Sequence, residues 1–241
     1  MQITVQSNLS STQCHVCDPR GGCLAKQLVK SEQAEERLAQ NKRINRKGEH
    51  VFREGDVGDA FYVVRSGSVK SYMLTEDGEE QVLGFYLPGD VFGLDKDDQQ
   101  VHLTSAVTLE TTSLCRFPTS YLSEKTVGAN LLKITAEQMR RDHHLVLMLA
   151  RKDADGRIAS FLDDLARRYR ARGYSGCAFQ LSMSRQDIAC YLGLAVETVS
   201  RTLTRFQESG VLSVNRREVE ILDLKMLRKL AGEREISEAA A

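Results

Sequence analysis

Three of the six cysteines lie close together. Cys14, Cys17 and Cys23 form C-x2-C-x5-C, with His-Val between the first pair and Asp-Pro-Arg-Gly-Gly between the second. Thiolates are soft ligands, and a glycine-bearing loop lets several of them converge on one metal centre, with a fourth ligand supplied from elsewhere in the chain. Cys115 is the candidate for that fourth position. In a reducing compartment this spacing points to metal binding or redox chemistry before structural disulfides. Ligand softness alone ranks zinc and an iron–sulfur cluster equally. Cys190 reads as a buried helix cysteine, Cys177 in the loop-like Gly-Tyr-Ser-Gly-Cys stretch receives no role, and His15 is left out of the ligand set.

A second constellation lies towards the C-terminus. Ser184-Arg-Gln-Asp187 has the pattern of a capping box, in which a Ser hydroxyl and an acid three residues on satisfy each other's amides at a helix start. Ile188, Ala189 and Leu192 then supply a buried face and Gly193 ends the helix. A second helix is predicted from Val196 to about Ser209, with Val199, Leu203 and Phe206 on one side and Glu197, Ser200, Arg201, Thr204 and Arg205 on the other. Val211 to Val214, Asn215-Arg216-Arg217 and Val219 to Leu222 read as a hairpin with a basic tip. Together these predict a winged helix-turn-helix. Near the start of such a helix Arg donates twice to guanine, Glu accepts from cytosine and Ser is permissive. Glu197, Ser200 and Arg201 are therefore the expected base readers, with Arg216 and Arg217 on the DNA backbone.

These residues need elements to position them. Residues 48 to 93 hold glycines at turn spacing between β-rich runs, Ala60 to Arg65, Ser68 to Leu74 and Gln81 to Tyr86, with further strands expected at 101 to 107 and 112 to 117. That predicts a compact antiparallel sandwich or barrel. From about Ser120 to Ala150 the pattern becomes helical, and Leu132, Thr135, Met139, Asp142, Val146 and Leu149 mark a seam along which two helices can pair. Asp153 is the expected cap of the next helix, whose apolar face is Ile158, Phe161, Leu162, Leu165 and Tyr169.

With 241 residues, 41% hydrophobic and 27% charged, the chain is too apolar for disorder and long enough for two domains. Its 33 basic and 33 acidic residues balance, yet residues 151 to 241 carry 16 against 13, which gives mild support to a polyanion partner on that side. Met1 to Ser11 lacks the features of a signal peptide and no apolar run approaches the ~18 residues of a membrane span, so a cytoplasmic location is expected.

Three runs, Gly-Leu-Ala-Val-Glu-Thr-Val-Ser-Arg (193 to 201), Arg-Ser-Gly-Ser-Val-Lys-Ser-Tyr (65 to 72) and Gly-Phe-Tyr-Leu-Pro-Gly-Asp (84 to 90), resemble the cyclic-AMP receptor protein / fumarate and nitrate reduction regulator (CRP/FNR) family on its oxygen-sensing branch. The resemblance covers residues 14 to about 230. It implies an α+β protein in four parts: a Cys-rich cluster-binding segment (1–30), a jelly-roll-like β-roll sensor domain (31–119), a dimerisation helix (120–150) and a winged helix-turn-helix (151–241). It also implies a 4Fe-4S cluster on Cys14, Cys17, Cys23 and Cys115, and a homodimer in which Glu197, Ser200 and Arg201 read a TTGAT half-site of a palindrome in double-stranded DNA. An Asp at the place of Asp142 implies a switch that keeps the cluster-free chain monomeric, and Ser66, Gly78, Glu79 and Thr111 match the places that touch RNA polymerase, which implies activation. Charged Asp18 and Arg20 depart from the family's more neutral segment and bear on the oxygen threshold.

Three other functions could draw on the same residues. A cyclic-nucleotide regulator needs a phosphate-binding Arg that the stretch Thr104-Ser105-Ala106 lacks, so no cyclic nucleotide is expected. An enzyme or electron carrier draws only on the cysteines, since no paired carboxylates, nucleophile motif or Gly-rich nucleotide loop is present. A thiol- or zinc-dependent redox regulator on the same fold is the main alternative.

Overall fold

The computed structural model describes residues 42–120 and 125–232. Cys14, Cys17, Cys23, Asp18 and Arg20 lie outside the described residues.

Eight strands form the N-terminal unit: β1 (Lys42–Asn45), β2 (His50–Phe52), β3 (Ala60–Ser66), β4 (Val69–Leu74), β5 (Glu80–Tyr86), β6 (Val91–Phe92), β7 (Ser105–Thr108) and β8 (Thr112–Pro118). They make two antiparallel four-stranded sheets, ordered β1-β8-β3-β6 and β2-β7-β4-β5. Phe52 and Val69 of one sheet meet Val64, Phe92 and Leu114 of the other in a single core, with Tyr62 and Tyr86 packed against it. Face-to-face sheets with this alternation are the β-roll expected from the sequence. The strand expected at 101 to 107 is shorter than that. Only Ser105–Thr108 is a strand, while Val101 and His102 make isolated bridges to Val57 and Lys96. Gln100 has a left-handed backbone (φ 61°), which breaks the extended run just before them.

Helix α1 (Lys125–Arg151) leaves the roll, and α2 (Ala154–Ala171) follows it. Asp153 caps α2 as expected, its carboxylate accepting from Gly156 N at 2.9 Å. The C-terminal unit continues with β9 (Ala178–Gln180), α3 (Arg185–Leu192), α4 (Val196–Glu208), β10 (Leu212–Asn215), β11 (Glu218–Ile221) and α5 (Leu224–Leu230), with the three strands ordered β10-β11-β9. Its core is continuous with part of the roll: Val82, Phe85, Leu87 and Leu109 join Phe161, Leu165, Ile188, Leu203 and Phe206 in one buried cluster.

Helix α1 carries two apolar faces. Leu131 and Met148 are buried within the chain, whereas Leu132, Met139 and Val146 are more than half exposed. The exposed three belong to the predicted seam and are not used for packing within the chain, whereas Leu149 at its end is partly buried. Among the described residues no helix is long and apolar enough to cross a membrane.

Candidate nucleic-acid interface and sensor cysteine

The helix-turn-helix forms for local reasons. Ser184 Oγ accepts from Asp187 N at 3.1 Å and Asp187 Oδ2 accepts from Ser184 N at 2.8 Å, closing the capping box. Helix α3 ends at Gly193, whose left-handed backbone (φ 60°) suits glycine. Val199, Leu203 and Phe206 bury one side of α4. Glu197, Ser200, Arg201 and Thr204 all lie exposed on the other.

Two features of this face were not legible in the sequence. Arg205 is exposed but folded back, its guanidinium paired with Asp155 on α2 and donating to Thr202 Oγ1 at 3.1 Å. Asp155 also accepts from Thr202 Oγ1 at 3.0 Å, so α2 holds α4 from behind. Arg157, again on α2, donates to Leu192 O at 3.0 Å, Gly193 O at 3.2 Å and Leu149 O at 2.8 Å. It thereby satisfies carbonyls that the ends of α3 and α1 would otherwise leave without partners.

The wing is a hairpin with a two-residue tip. Asn215 pairs with Glu218 across it, leaving Arg216 and Arg217 at the turn. Arg216 takes a positive φ of 55° and is exposed, while Arg217 Nη1 sits 3.4 Å from Ser182 O. At the start of α3, Arg185 is half-buried with Nη1 unpartnered, and burial lowers its pKa. The exposed polar face of α4 and the basic tip of the wing are of residue types that suit a polyanion, whereas the Nη1 of Arg185 is buried beside them.

Cys115 lies on β8, directly opposite Val63 of β3 on one side and Lys42 of β1 on the other. Directly opposed residues share a sheet face, so Cys115, Val63, Phe61 and Phe117 lie on the face away from Val64 and Leu114, which fill the roll interior. Cys115 is buried. Among the described residues no three His, Cys, Asp or Glu side chains gather as a metal site. Cys177 is exposed, and Cys190 is bonded to β5 through its sulfur.

The other expected contact residues are at the surface. Ser66 ends β3, Thr111 lies in the turn between β7 and β8, and Gly78 and Glu79 sit in the β4–β5 turn; all four are exposed. Gly67 draws the first two together: its backbone is left-handed (φ 81°), and an added Cβ would stand 2.7 Å from Thr111 O. Inside the roll, the ring of His102 stacks on Phe52 at 3.6 Å, and both rings close on Gly93.

Comparison with known proteins places this geometry. Residues 42–126 match the cyclic nucleotide-binding domain and residues 156–230 the Crp-like helix-turn-helix domain. The chain is 43% identical over 225 residues to the transcriptional activator protein Anr of Pseudomonas protegens, covering 91% of this chain and 92% of that one. It therefore belongs to the CRP/FNR family of transcription regulators. A second family member, electron transport regulator A of Shewanella oneidensis, is 37% identical over 93% of this chain and 92% of its own. The solved structure of FixK2 from Bradyrhizobium japonicum superposes with a TM-score of 0.73 at 33% identity, covering 80% of this chain and 98% of that one. CRP/FNR members of this kind are DNA-binding regulators and not enzymes, and the helix-turn-helix described above is the DNA-binding element.

Proposed function

We propose that the chain is an oxygen-responsive transcription activator, and at some promoters a repressor, of anaerobic metabolism genes. It would hold one 4Fe-4S cluster per subunit on Cys14, Cys17, Cys23 and Cys115. The reading rests above all on one observation: Lys42, where the chain enters the roll from its Cys-bearing segment, is the direct cross-strand partner of Cys115. A buried thiol on the outer face of β8 is thus next to the strand through which the other three cysteines are tethered. Four soft thiolates suit iron–sulfur chemistry, and the surrounding Val63, Phe61 and Phe117 offer the low-polarity setting in which such a centre is shielded from water. When bound, the cluster supplies a centre that oxygen destroys.

The remainder of the proposal concerns the chain's own residues. The exposed line Leu132, Met139 and Val146 on α1 is the dimer seam, and Asp142 on the same line opposes closure in the cluster-free chain. The dimer sits on a palindrome of TTGAT-type half-sites, with Glu197, Ser200 and Arg201 at base edges and Arg216 and Arg217 at phosphates. Ser66 with Thr111, and Gly78 with Glu79, form two surface spots for RNA polymerase. Cyclic nucleotide is not the effector; the aromatic filling around Gly93 supports this. The relatives' names agree with an anaerobic role, among them the anaerobic regulatory protein of Haemophilus influenzae.

The deciding experiment is metal and sulfide analysis of the full chain purified without air. The expected result is brown protein with about four irons and four acid-labile sulfides per chain, bleaching in air. Colourless protein with a single zinc would replace the cluster with the zinc- or thiol-dependent alternative.

A further inference from the structure

Lys70, on β4, is a charged side chain almost withdrawn from water, with 9% of its surface exposed. Its ammonium stands 2.5 Å from Glu80 Oε2 on the neighbouring strand β5 and 2.7 Å from Asp187 Oδ1 on α3, 117 residues away in sequence. Burial alone would lower the lysine pKa, but the two carboxylates reverse that and raise it, so the charge is kept. Asp187 is divided between two tasks: Oδ1 receives the lysine, while Oδ2 closes the capping box with Ser184.

A second set of bonds lies three residues along α3, on the same helix face. Cys190 Sγ accepts from Val82 N at 3.1 Å and donates to Glu80 O at 2.8 Å, and Gln81 Nε2 donates to Cys190 O at 3.1 Å. Two attachments on one face, with Phe85 and Tyr191 packed beside them at 5.1 Å between ring centres, fix α3 against sliding and against rotation. Helix α4 moves with α3 because they share a core. The reading face of α4 stays exposed while α3 is docked, so the docking holds the helix-turn-helix without covering it.

We propose that Lys70 is a positioning residue for operator recognition: by bridging Glu80 and Asp187 it locks the helix-turn-helix to its own roll and so sets the spacing between the two reading faces of a dimer. The spacing clause rests on the dimeric reading above; the locking clause does not. A domain joined only by a flexible hinge would tolerate altered half-site spacing, whereas a locked one discriminates against it. Nonpolar replacement of Lys70 leaves Asp187 in a half-buried site without its cation, and α3 loses one of its two attachments.

The test uses the full chain purified without air, as wild type, Lys70→Met and Lys70→Arg, with Glu80→Gln as a milder variant should Lys70→Met not fold. Binding is measured by fluorescence anisotropy on the palindrome and on the same sequence with one base pair inserted between half-sites, which moves them apart by about 3.4 Å. Wild type is expected to prefer the unaltered spacing by about tenfold. Lys70→Met should cut that preference by roughly threefold or more, Glu80→Gln should cut it less, and Lys70→Arg should restore it. Equal loss of affinity on both sequences with the preference unchanged would reduce Lys70 to a structural role and overturn the proposal. Hydrogen exchange on the cluster-free full chain provides an arm independent of cluster and dimer. There Lys70→Met, or Glu80→Gln in its place, should speed exchange at the Val82 amide and along the first turn of α3. Unchanged exchange overturns the lock even if wild type binds no operator, and faster exchange in that case upholds the lock while removing the dimeric reading.

Discussion

Cys115 and Lys42 face each other across β8 and β1, so the strand that carries the candidate sensor cysteine is zipped to the strand that leads in from the N-terminal segment. Replacing Cys115 by Ser should abolish the visible absorbance and iron content of anaerobically purified protein. The shapes are close, so the roll should still form, as a far-ultraviolet spectrum would check. Cys177→Ser and Cys190→Ser should keep full iron content. A Cys115→Ser protein with undiminished iron would move the fourth ligand elsewhere.

The exposed face of α4, proposed to read bases, and the wing should separate in their effects. Arg201→Ala is expected to lose roughly 1–3 kcal/mol and to relax preference at the guanine, because a base-edge contact carries sequence information. Arg216→Asn should weaken all sequences alike and lower the salt slope by about one. Asn is chosen because Arg216 sits at φ 55°, a backbone that Asn tolerates better than most residues, so the turn survives the loss of charge. Binding isotherms at several salt concentrations on cognate and substituted operators decide both.

What the sequence encodes locally and what only the fold brings together divide along physical lines. The capping box at Ser184 and Asp187, the break at Gly193 and the buried triplet Val199, Leu203 and Phe206 are local: each is written within one helix and its flanks. The run 101 to 107 misled because alternating Val101 and Leu103 imitate a strand, yet Leu103 remains 46% exposed beyond a left-handed Gln100. Polar pairs between distant segments leave no periodic trace. Lys70 with Asp187, Arg205 with Asp155 and Cys190 with β5 were therefore invisible, and Cys190 looked like an ordinary buried thiol. The two helices of the helix-turn-helix are legible in the sequence; the polar contacts that hold them in place are not.

A second bridge between the roll and the C-terminal unit should make docking sensitive to acid. Asp90 is buried and accepts from Arg168 in the last turn of α2 at 2.6 Å, from Arg172 just past the end of that helix at 2.5 Å, and from Leu87 N at 2.8 Å. Burial alone would raise its carboxyl pKa, but the two guanidinium groups and the amide hold it below the ordinary 3.8. A carboxylate with a depressed folded pKa stabilises above its unfolded value and loses that stabilisation as pH falls through the folded one. His50 and His102, both lowered from 6.5 chiefly by burial, act in the same direction at higher pH. Stability measured by urea unfolding should thus decline from about pH 6.5 downward and fall further below about pH 4. Asp90→Asn should remove about 3 kcal/mol at neutral pH by leaving buried guanidinium charge uncompensated. An Asp90→Asn protein as stable as wild type would show that solvent reaches the two arginines.

Asp142 is the one charged residue on a line of α1 that runs through Leu132, Thr135, Met139, Val146 and Leu149. It is exposed, accepts from Gln138 Nε2 at 2.9 Å one turn earlier, and lies between Met139 and Val146, which are 53% and 63% exposed. In a parallel pair of α1 helices closed along that line, each carboxylate would face its own copy. Two like charges ~6 Å apart at an effective dielectric of ~20 repel by roughly 3 kcal/mol, enough to shift a dimerisation constant about a hundredfold. On the dimeric reading proposed above, the apolar residues on either side would favour closure and the paired carboxylates would oppose it, so Asp142→Ala should tip the balance. Cluster-free Asp142→Ala protein is expected to sediment as a dimer and bind the operator in air at concentrations where cluster-free wild type is monomeric and does not. Asp142→Asn, which keeps the shape and the bond to Gln138 but removes the charge, should behave like the Ala variant if repulsion is the cause. Were Asp142→Asn to stay monomeric while Asp142→Ala dimerised, bulk at the seam rather than charge would be the barrier. Were both to match wild type at equal concentration, Asp142 would have no part in dimerisation.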